Sequence, residues 1–198
     1  MRPQIVWEMH QDGDAELYAP LHQHEMLEDW NARLLAEIPW EQQHLRIQGK
    51  LIPFPRLVSW HGDREAVYSY SGNTNQPKPW NNVLLSIKEI VEETAGVTFN
   101  SVLLNLYSDE RSSVGWHADD EPELGRKPTI ASVSLGQPRV FQLKHNRSKD
   151  VVDIVLPHGS LLLMKGELQE KWKHSIPKGV TPMGRRINLT FRRTNADG

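Results

Sequence analysis

Apolar residues recur at helical spacing in two segments of the chain, residues 21–38 and residues 79–95. In the first segment they are Leu27, Trp30, Leu34, Leu35 and Ile38, and in the second Val83, Leu84, Ile87, Ile90 and Val91. Pro39 ends the first segment, because proline cannot continue a helix. Pro79 suits the first turn of the second segment, and Gly96 suits its C-terminal cap. The pattern therefore predicts two amphipathic helices.

From residue 97 onward the pattern changes to short β-prone runs separated by glycine and proline. The predicted strands are residues 98–107, 129–135, 139–143, 151–156, 160–164, 172–176 and 186–192. Residues 47–70 also contain strand-like runs that could extend a sheet. Many short strands with few helices between them are typical of a sandwich or a jelly roll. We expect a mainly β protein with flanking helices, of the α+β class.

Composition places the chain among ordinary globular proteins and limits its chemistry. It has 198 residues, of which 38% are hydrophobic and 24% charged, which fits one domain. The sequence contains no run of eighteen apolar residues, so no membrane span is predicted. The first eleven residues are polar and do not predict a secretory signal. The sequence contains no cysteine, so a metal would be held by nitrogen and oxygen. We expect a cytoplasmic location.

Charge is unevenly distributed although the net charge is only −2. Residues 1–40 hold eight acidic and two basic side chains, whereas residues 139–193 hold twelve Lys and Arg against four acidic side chains. A basic C-terminal half could form a face for a polyanion. Solvated surface lysines explain the same composition equally well.

His117, Asp119 and His174 are candidate metal ligands. On a strand, residues two apart point to the same side, and sheet closure could bring His174 across to the other two. Two imidazoles and one carboxylate form the facial triad that holds Fe(II). Zinc also accepts histidine and carboxylate ligands, and a lone histidine is often simply part of the core.

The last predicted strand carries residues that could bind an anion beside this triad. Alternate residues of the strand share one face, namely Arg186, Asn188, Thr190 and Arg192. Two guanidinium groups are costly to bury unless anions meet them, and arginine suits bidentate binding of carboxylates. Asn105 and Tyr107 share a face of an earlier strand and offer neutral hydrogen bonds. Together these residues predict a pocket for a dicarboxylic acid beside the metal.

Several motifs of the chain resemble the AlkB family of Fe(II)- and 2-oxoglutarate-dependent dioxygenases. They are Pro55-Arg56-Leu57, Lys78-Pro79-Trp80, Asn105-Leu106-Tyr107, Trp116-His117-Ala118-Asp119-Asp120-Glu121-Pro122, Ile130-Ala131-Ser132-Val133-Ser134-Leu135-Gly136 and Arg186-Ile187-Asn188-Leu189-Thr190-Phe191-Arg192. The match runs from about residue 55 to residue 192 in the order of the family. Residues 98–101 and 124–126 are most similar to the branch of the second and third human homologues.

The resemblance implies a double-stranded β-helix, which is a form of jelly roll. It implies that His117, Asp119 and His174 bind Fe(II), and that 2-oxoglutarate is contacted by Asn105, Tyr107, Arg186, Asn188, Thr190 and Arg192. With O2 as co-substrate, such enzymes remove alkyl groups from nucleobases, typically 1-methyladenine and 3-methylcytosine. The products are succinate, CO2, formaldehyde and the repaired base. The implied biological role is DNA repair.

Four residues are candidate contacts for the methylated base. Both typical substrates are cationic, so a carboxylate would favour them, and Glu121 is preferred to Asp120 for this role. Tyr68 and Tyr70 match the family's nucleotide-facing loop, and Trp60 is a plausible third aromatic wall. Alternatively, Glu121 is a surface acid in a turn, and the aromatic residues are the half-buried side chains of a strand.

The chain lacks the aromatic wedge, a side chain that takes the place of the extruded base in a duplex, and this absence indicates which nucleic acid is preferred. Residues 46–50, where duplex-specific relatives carry a wedge, contain no aromatic side chain, so single-stranded DNA is favoured, with RNA as an open alternative. Candidate phosphate contacts are Arg139, Lys144, Arg147 and Lys149. An alternative function is a dioxygenase acting on a protein or small molecule, and another is a non-catalytic nucleic-acid-binding module.

We expect one domain, residues 1–198, that acts as a monomer. Within it, residues 1–41 are expected to form a helical extension, residues 42–96 a nucleotide-recognition region with a support helix, and residues 97–193 the β-helix core.

Overall fold

The computed structural model describes residues 3–47, 50–66, 68–70 and 73–194, and in residues 45–47, 68–70 and 73–75 it describes the backbone alone. The strands are β1 (Ile5–Met9), β2 (Asp14–Tyr18), β3 (His44–Ile47), β4 (Lys50–Pro53), β5 (Leu57–Gly62), β6 (Tyr68–Tyr70), β7 (Asn73–Asn75), β8 (Ser101–Tyr107), β9 (Val114–His117), β10 (Ile130–Gly136), β11 (Arg139–His145), β12 (Val151–Leu156), β13 (Ser160–Lys165), β14 (Trp172–Ile176) and β15 (Arg186–Arg192). The helices are α1 (His24–Glu37), α2 (Asn82–Ala95) and the short α3 (Leu168–Lys171), with a 3-10 helix at Pro122–Leu124.

Two antiparallel sheets form the body of the described chain. The major sheet has the order β1-β2-β13-β10-β15-β8-β5, and the minor sheet has the order β12-β11-β14-β9. Apolar side chains from both sheets meet in one cluster, for example Ile130 and Met164 with Phe141 and Leu143. This is the double-stranded β-helix that the sequence predicts, so the expected fold class is confirmed.

The other face of the major sheet is covered by the two long helices. Leu27, Trp30 and Leu34 of α1 and Val83 and Ile87 of α2 are buried in the cluster that lies on this face. These residues belong to the predicted apolar stripes, so helical periodicity identified the packing surface correctly. Removal of such side chains from water is the main favourable term that holds the helices on the sheet.

Both helices begin later than predicted because the preceding backbone forms hydrogen bonds elsewhere. The amide of Leu21 donates to the carbonyl of Gly159 at 2.7 Å, and α1 therefore begins at His24. Lys78 bridges to β5, and the side chain of Asn81 accepts a hydrogen bond from the amide of Leu84, which begins α2 at Asn82. Pro79 consequently lies outside the first turn, contrary to the prediction.

The first 41 residues differ from the expected helical extension. β2 pairs with β13, so β1 and β2 form one edge of the major sheet ahead of α1. Ala15 and Leu17 are buried and alternate with more exposed neighbours, as in a strand with one face on the core. Trp172 of the minor sheet also donates to the carbonyl of Gln11 at 3.0 Å. This region is thus part of the β architecture.

None of the described helices is both long and apolar enough to cross a membrane.

Candidate active site

The three candidate metal ligands lie together at the edge of the minor sheet that β9 forms. His117 is the last residue of β9 and pairs with His174 of β14, with 4.2 Å between their ring centroids. Asp119 follows two residues after His117, and its Oδ1 is 3.8 Å from His117 Nε2. The potential ligand atoms of the three residues all lie within 4.8 Å of one another. This grouping can hold one metal ion.

Hydrogen bonds prepare these side chains as ligands. Nδ1 of His117 donates to the carbonyl of Gly115 at 2.8 Å, which leaves the lone pair of Nε2 for a metal. The ring of His174 stacks on Phe141 with 5.3 Å between centroids. The amide of Asp119 donates to Oε1 of the buried Gln169 at 2.9 Å. The ligands therefore have fixed orientations before a metal binds.

The ionisation states also suit a cation. Burial alone would raise the pKa of Asp119, but Arg192 and the two histidines outweigh this effect and lower the pKa to about 2. Burial, followed by the nearby His117, lowers the pKa of His174 to about 3. At neutral pH the site thus offers a carboxylate and a neutral imidazole, which are the forms that coordinate metals.

The predicted acid-binding residues line the same cavity as the metal group. They are Asn105, Tyr107, Arg186, Asn188, Thr190 and Arg192. β15 lies between β10 and β8, so its polar face points into the protein and is not an exposed edge. The metal ligands and the arginine strand therefore belong to one site, as the sequence predicts, although their chemical roles stay predictions.

Arg186 is the residue of this cavity that most clearly requires an anion. Its side chain is 1% exposed, and Nη2 donates to Ser134 Oγ at 2.9 Å. Nε and Nη1 are buried and donate to no acceptor in the part of the chain that the structure describes. Such a guanidinium is costly unless a ligand accepts its hydrogen bonds. A carboxylate of a dianionic acid fits these donors.

Arg192 links the acid pocket to the metal group. Its Nη2 and Nε lie 2.8 and 3.2 Å from Asp119 Oδ2. Oδ1 of the same carboxylate is the oxygen that is nearer to His117. The sequence predicts that Arg192 pairs with the co-substrate, whereas the structure gives it a protein carboxylate as its first partner.

Sequence reasoning gave no role to several residues that position this site. Arg56 donates to Asn105 Oδ1 at 2.7 Å, which orients the amide, and Asn188 donates to Ser132 Oγ at 2.8 Å. Gln169 holds the backbone of Asp119. Arg56 and Ser132 lie in the quoted motifs, and the alternation of Ser132 and Ser134 beside β15 could have identified both serines. No sequence pattern indicates Gln169, because its contact is distant in the chain.

Arg139 was wrongly predicted to contact phosphate. It is 2% exposed, and its guanidinium donates to the carbonyls of Asp109, Ser112 and Pro177 at 2.6 to 3.2 Å. Its charge suggested a phosphate contact, but its guanidinium is turned to the segments that follow β8 and β14. Arg139 therefore holds two loops beside Tyr107, whose ring centroid is 5.6 Å away.

The candidate contacts for the methylated base differ in their burial and surroundings. Trp60 is 4% exposed, donates to the carbonyl of Ala66 at 3.0 Å and packs with Leu124, so its ring supports neighbouring segments and is not an open stacking wall. Glu121 is half-buried and precedes the 3-10 helix that contains Leu124. Asp120 is exposed. The side chains of Tyr68 and Tyr70, and those of residues 45–49, lie outside the described residues.

Comparison with known proteins identifies the family. Residues 9–192 match the family described as the 2OG-Fe(II) oxygenase superfamily. The chain is 42% identical over 180 residues to alpha-ketoglutarate-dependent dioxygenase alkB homolog 3 of Rattus norvegicus, covering 85% of this chain and 60% of that protein. It is 40% identical over 157 residues to the human protein DNA oxidative demethylase ALKBH2, covering 75% of this chain and 60% of that protein.

A solved structure supports the fold. The structure of OsALKBH1 superimposes with a TM-score of 0.66 at 17% identity, covering 93% of this chain and 100% of that chain. The chain spans about 60% of the length of the curated relatives named above. Fe(II), 2-oxoglutarate and O2, which the sequence predicts, are the cofactor and co-substrates of this superfamily. The chain belongs to the 2OG-Fe(II) oxygenase superfamily and, within it, to the AlkB family, with similarity to homologues 2 and 3.

Proposed function

We propose that the chain is an oxidative demethylase that repairs N-alkylated nucleobases, with 1-methyladenine and 3-methylcytosine as typical lesions. Single-stranded DNA is the preferred substrate, and RNA is a second substrate class to be tested. The observation that carries this proposal is one cavity that contains both the His117, Asp119 and His174 group and the buried donors of Arg186. The names of the relatives, among them a DNA oxidative demethylase, support the choice of substrate.

His117, Asp119 and His174 are the proposed Fe(II) ligands. Their nitrogen and oxygen donors match the facial triad, which leaves positions for a chelating acid and for dioxygen. Asp119 uses one oxygen toward His117 and the other toward Arg192. Arg192 is thereby proposed to hold the carboxylate in one orientation while it contributes positive charge to the acid pocket.

The far end of the pocket is proposed to bind the distal carboxylate of 2-oxoglutarate. Arg186 supplies two donors, and Tyr107 lies beside it with the guanidinium 4.9 Å from the ring centroid. Asn105, Asn188 and Thr190 add neutral hydrogen bonds along the cavity. The neighbouring contacts of Arg56, Ser132 and Ser134 hold these groups in place, so little reorganisation accompanies binding.

When bound, Fe(II), 2-oxoglutarate and O2 would supply the oxidation: one oxygen atom would enter succinate as CO2 leaves, and the other would convert the N-methyl group to a hydroxymethyl group. Loss of that group as formaldehyde, with release of a proton from a cationic lesion, would leave the neutral base. The chain's own residues position the acid, exclude water from the cavity and select the base. Glu121 is the proposed partner of the cationic base, because its carboxylate lies in the turn that follows the metal group. Tyr68 and Tyr70 are proposed to stack on the base, and this rests on sequence alone.

Contacts to the nucleic-acid backbone are proposed for Lys144, Arg147 and Lys149. They lie at the end of β11 and in the turn that follows it, and all three remain accessible. Three of the twelve basic residues between 139 and 193 are buried, namely Arg139, Arg186 and Arg192, so the exposed surplus is smaller than the sequence suggested. A cytoplasmic location and a monomeric state stay predictions.

A demethylation assay tests the proposal. The protein is incubated with Fe(II), ascorbate, 2-oxoglutarate and oligonucleotides that carry 1-methyladenine or 3-methylcytosine, in single and double strands of DNA and in RNA. We expect loss of the methyl mass and release of formaldehyde, fastest with single-stranded DNA. Asp119→Ala should abolish both, whereas Asp153→Ala, which changes an exposed carboxylate on β12, should not. Turnover of 2-oxoglutarate with no loss of methyl from any strand would refute the nucleic-acid assignment.

The same assay tests Glu121. Glu121→Gln should slow demethylation more than it slows the turnover of 2-oxoglutarate without substrate, since the carboxylate is proposed to contact only the base. Equal losses in the two rates would contradict that role.

A further inference from the structure

An exposed tryptophan lies on the outer face of the minor sheet beside two lysines. Trp116 is 41% exposed and precedes His117 in β9. The ammonium group of Lys144 in β11 is 5.6 Å from the Trp116 ring centroid. Lys173 in β14 pairs directly with Lys144 across the two strands. We refer to Trp116, Lys144 and Lys173 as the outer patch.

The alternation of the strands places the outer patch on the opposite side of the sheet from the metal group. Leu143 and His174 are paired and buried, whereas their neighbours Lys144 and Lys173 are paired and more exposed. The register of β9 and β14 shifts between His174 and Ile176, as in a β-bulge. Trp116 and His117 are adjacent in β9, so the same alternation turns the tryptophan outward and the histidine inward.

The outer patch is unfavourable in the protein alone. Like charges directly opposite each other on neighbouring strands are destabilising. Neither lysine forms an ion pair with a carboxylate among the residues that the structure describes. A phosphate group between the two ammonium groups would remove this repulsion, and the open face of Trp116 would accept a flat ring.

A second lysine–tryptophan contact in this protein has only a structural role. Lys88 lies over the ring of Trp80 at 5.7 Å, but Lys88 is also paired with Glu92 at 2.8 Å. Trp80 donates to Asp63 at 2.8 Å and stacks on Phe191. Its charge and its ring are therefore both satisfied inside the protein, in contrast to the outer patch.

We propose that the outer patch is a docking surface for single-stranded nucleic acid outside the active site. One base stacks on the exposed face of Trp116, and Lys144 and Lys173 contact the phosphates beside it. The proposal rests on the proposed function, since it assigns a second contact to the same substrate. A nucleotide is favoured over an acidic peptide because it supplies both a flat ring that stacks on Trp116 and a phosphate charge beside it for the two lysines.

Binding of an unmodified oligonucleotide tests this surface independently of catalysis. The full chain is titrated into a labelled twelve-nucleotide thymidine strand without metal or 2-oxoglutarate, and fluorescence anisotropy is measured. Trp116→Ala should weaken binding about 5- to 150-fold, and Trp116→Phe should retain most of the affinity because it keeps a stacking ring. Lys144→Ala with Lys173→Ala should reduce the slope of log K against log salt by roughly 1.4. Lys88→Met is the matched control and should bind as the unmodified protein does.

Each result decides the proposal. Unchanged affinity in folded Trp116→Ala would overturn it, as would an equal loss with Lys88→Met. Competition by poly-glutamate as effective as that by the oligonucleotide would assign the patch to an acidic protein. Because the strand is unmodified, failure of demethylation would leave this result intact, and failure of this result would leave the demethylase assignment intact.

Discussion

At the scale of single residues, Asp119 carries the largest number of tasks in the site. Its Oδ2 accepts hydrogen bonds from Arg192, its Oδ1 lies near His117, and its amide donates to Gln169. A buried carboxylate with these partners stays ionised, consistent with a pKa of about 2. The residue therefore connects the metal group, the acid pocket and the segment that leads to His174.

Gln169 should influence metal binding through Asp119 alone. Gln169→Met keeps the volume of the side chain but removes the acceptor of the Asp119 amide, so the carboxylate loses part of its orientation. We expect the affinity for Mn(II) to fall by about 10- to 100-fold, measured by calorimetric titration. Gln142→Met, in β11 of the minor sheet, is the control and should bind Mn(II) normally. Normal Mn(II) affinity in folded Gln169→Met would show that Gln169 has no positioning role.

At the scale of elements, strands were predicted more accurately than the starts of helices. The bounds of β12, β14 and β15 agree with the sequence pattern, because turns of glycine and proline mark their ends. The first residues of α1 and α2 were predicted too early in the chain. Backbone contacts with Gly159 and with β5 decide where these helices begin. Such contacts are distant in sequence, and local periodicity carries no information about them.

Arg139 and Arg147 should give opposite results. Arg139→Met leaves one buried and two part-buried carbonyls without this donor, so the free energy of unfolding should fall by about 1–3 kcal/mol in urea titrations. The effect of Arg139→Met on the affinity for a short DNA strand should be small. Arg147→Met, at an exposed position in the following turn, should weaken DNA binding and leave stability nearly unchanged. The reverse pattern would restore Arg139 as a phosphate contact.

His61 should make the junction between β5 and α2 sensitive to acid. Its Nδ1 donates to the carbonyl of Pro79 at 2.9 Å, and its Nε2 accepts from Ser59 at 3.1 Å, so the neutral ring fits. Burial lowers the pKa of His61 below the ordinary 6.5. The unfolded chain then binds the proton more readily, so this stability is complete above pH 6.5 and is lost as the pH falls below it.

The measurement is the free energy of unfolding between pH 8 and pH 5. His61→Gln should show a shallower decrease than the unmodified protein, since its side chain cannot bind the proton. Identical slopes would mean that His61 does not contribute.

At the scale of the whole molecule, the sequence allowed most of the inner site to be predicted but not its surroundings. The two histidines and the face of β15 could be predicted because they lie on strands, where alternation fixes direction, and Asp119 follows the end of β9 by only two residues. The burial of Trp60 and Arg139, and the addition of β1 and β2 to the major sheet, depend on how distant strands pair. Those pairings are set by packing across the molecule, which no local pattern reports.

The central claim is that the metal group and the arginine strand form one site. The direct test is calorimetric titration of 2-oxoglutarate into the protein loaded with Mn(II), under conditions where no turnover occurs, compared with Arg186→Met. Removal of one partner of a buried charge pair costs about 3–5 kcal/mol, so the affinity should fall by roughly 100-fold or more while Mn(II) affinity is retained. Binding to the protein without metal should also be weaker. Equal affinity for 2-oxoglutarate in Arg186→Met and in the unmodified protein would contradict the account.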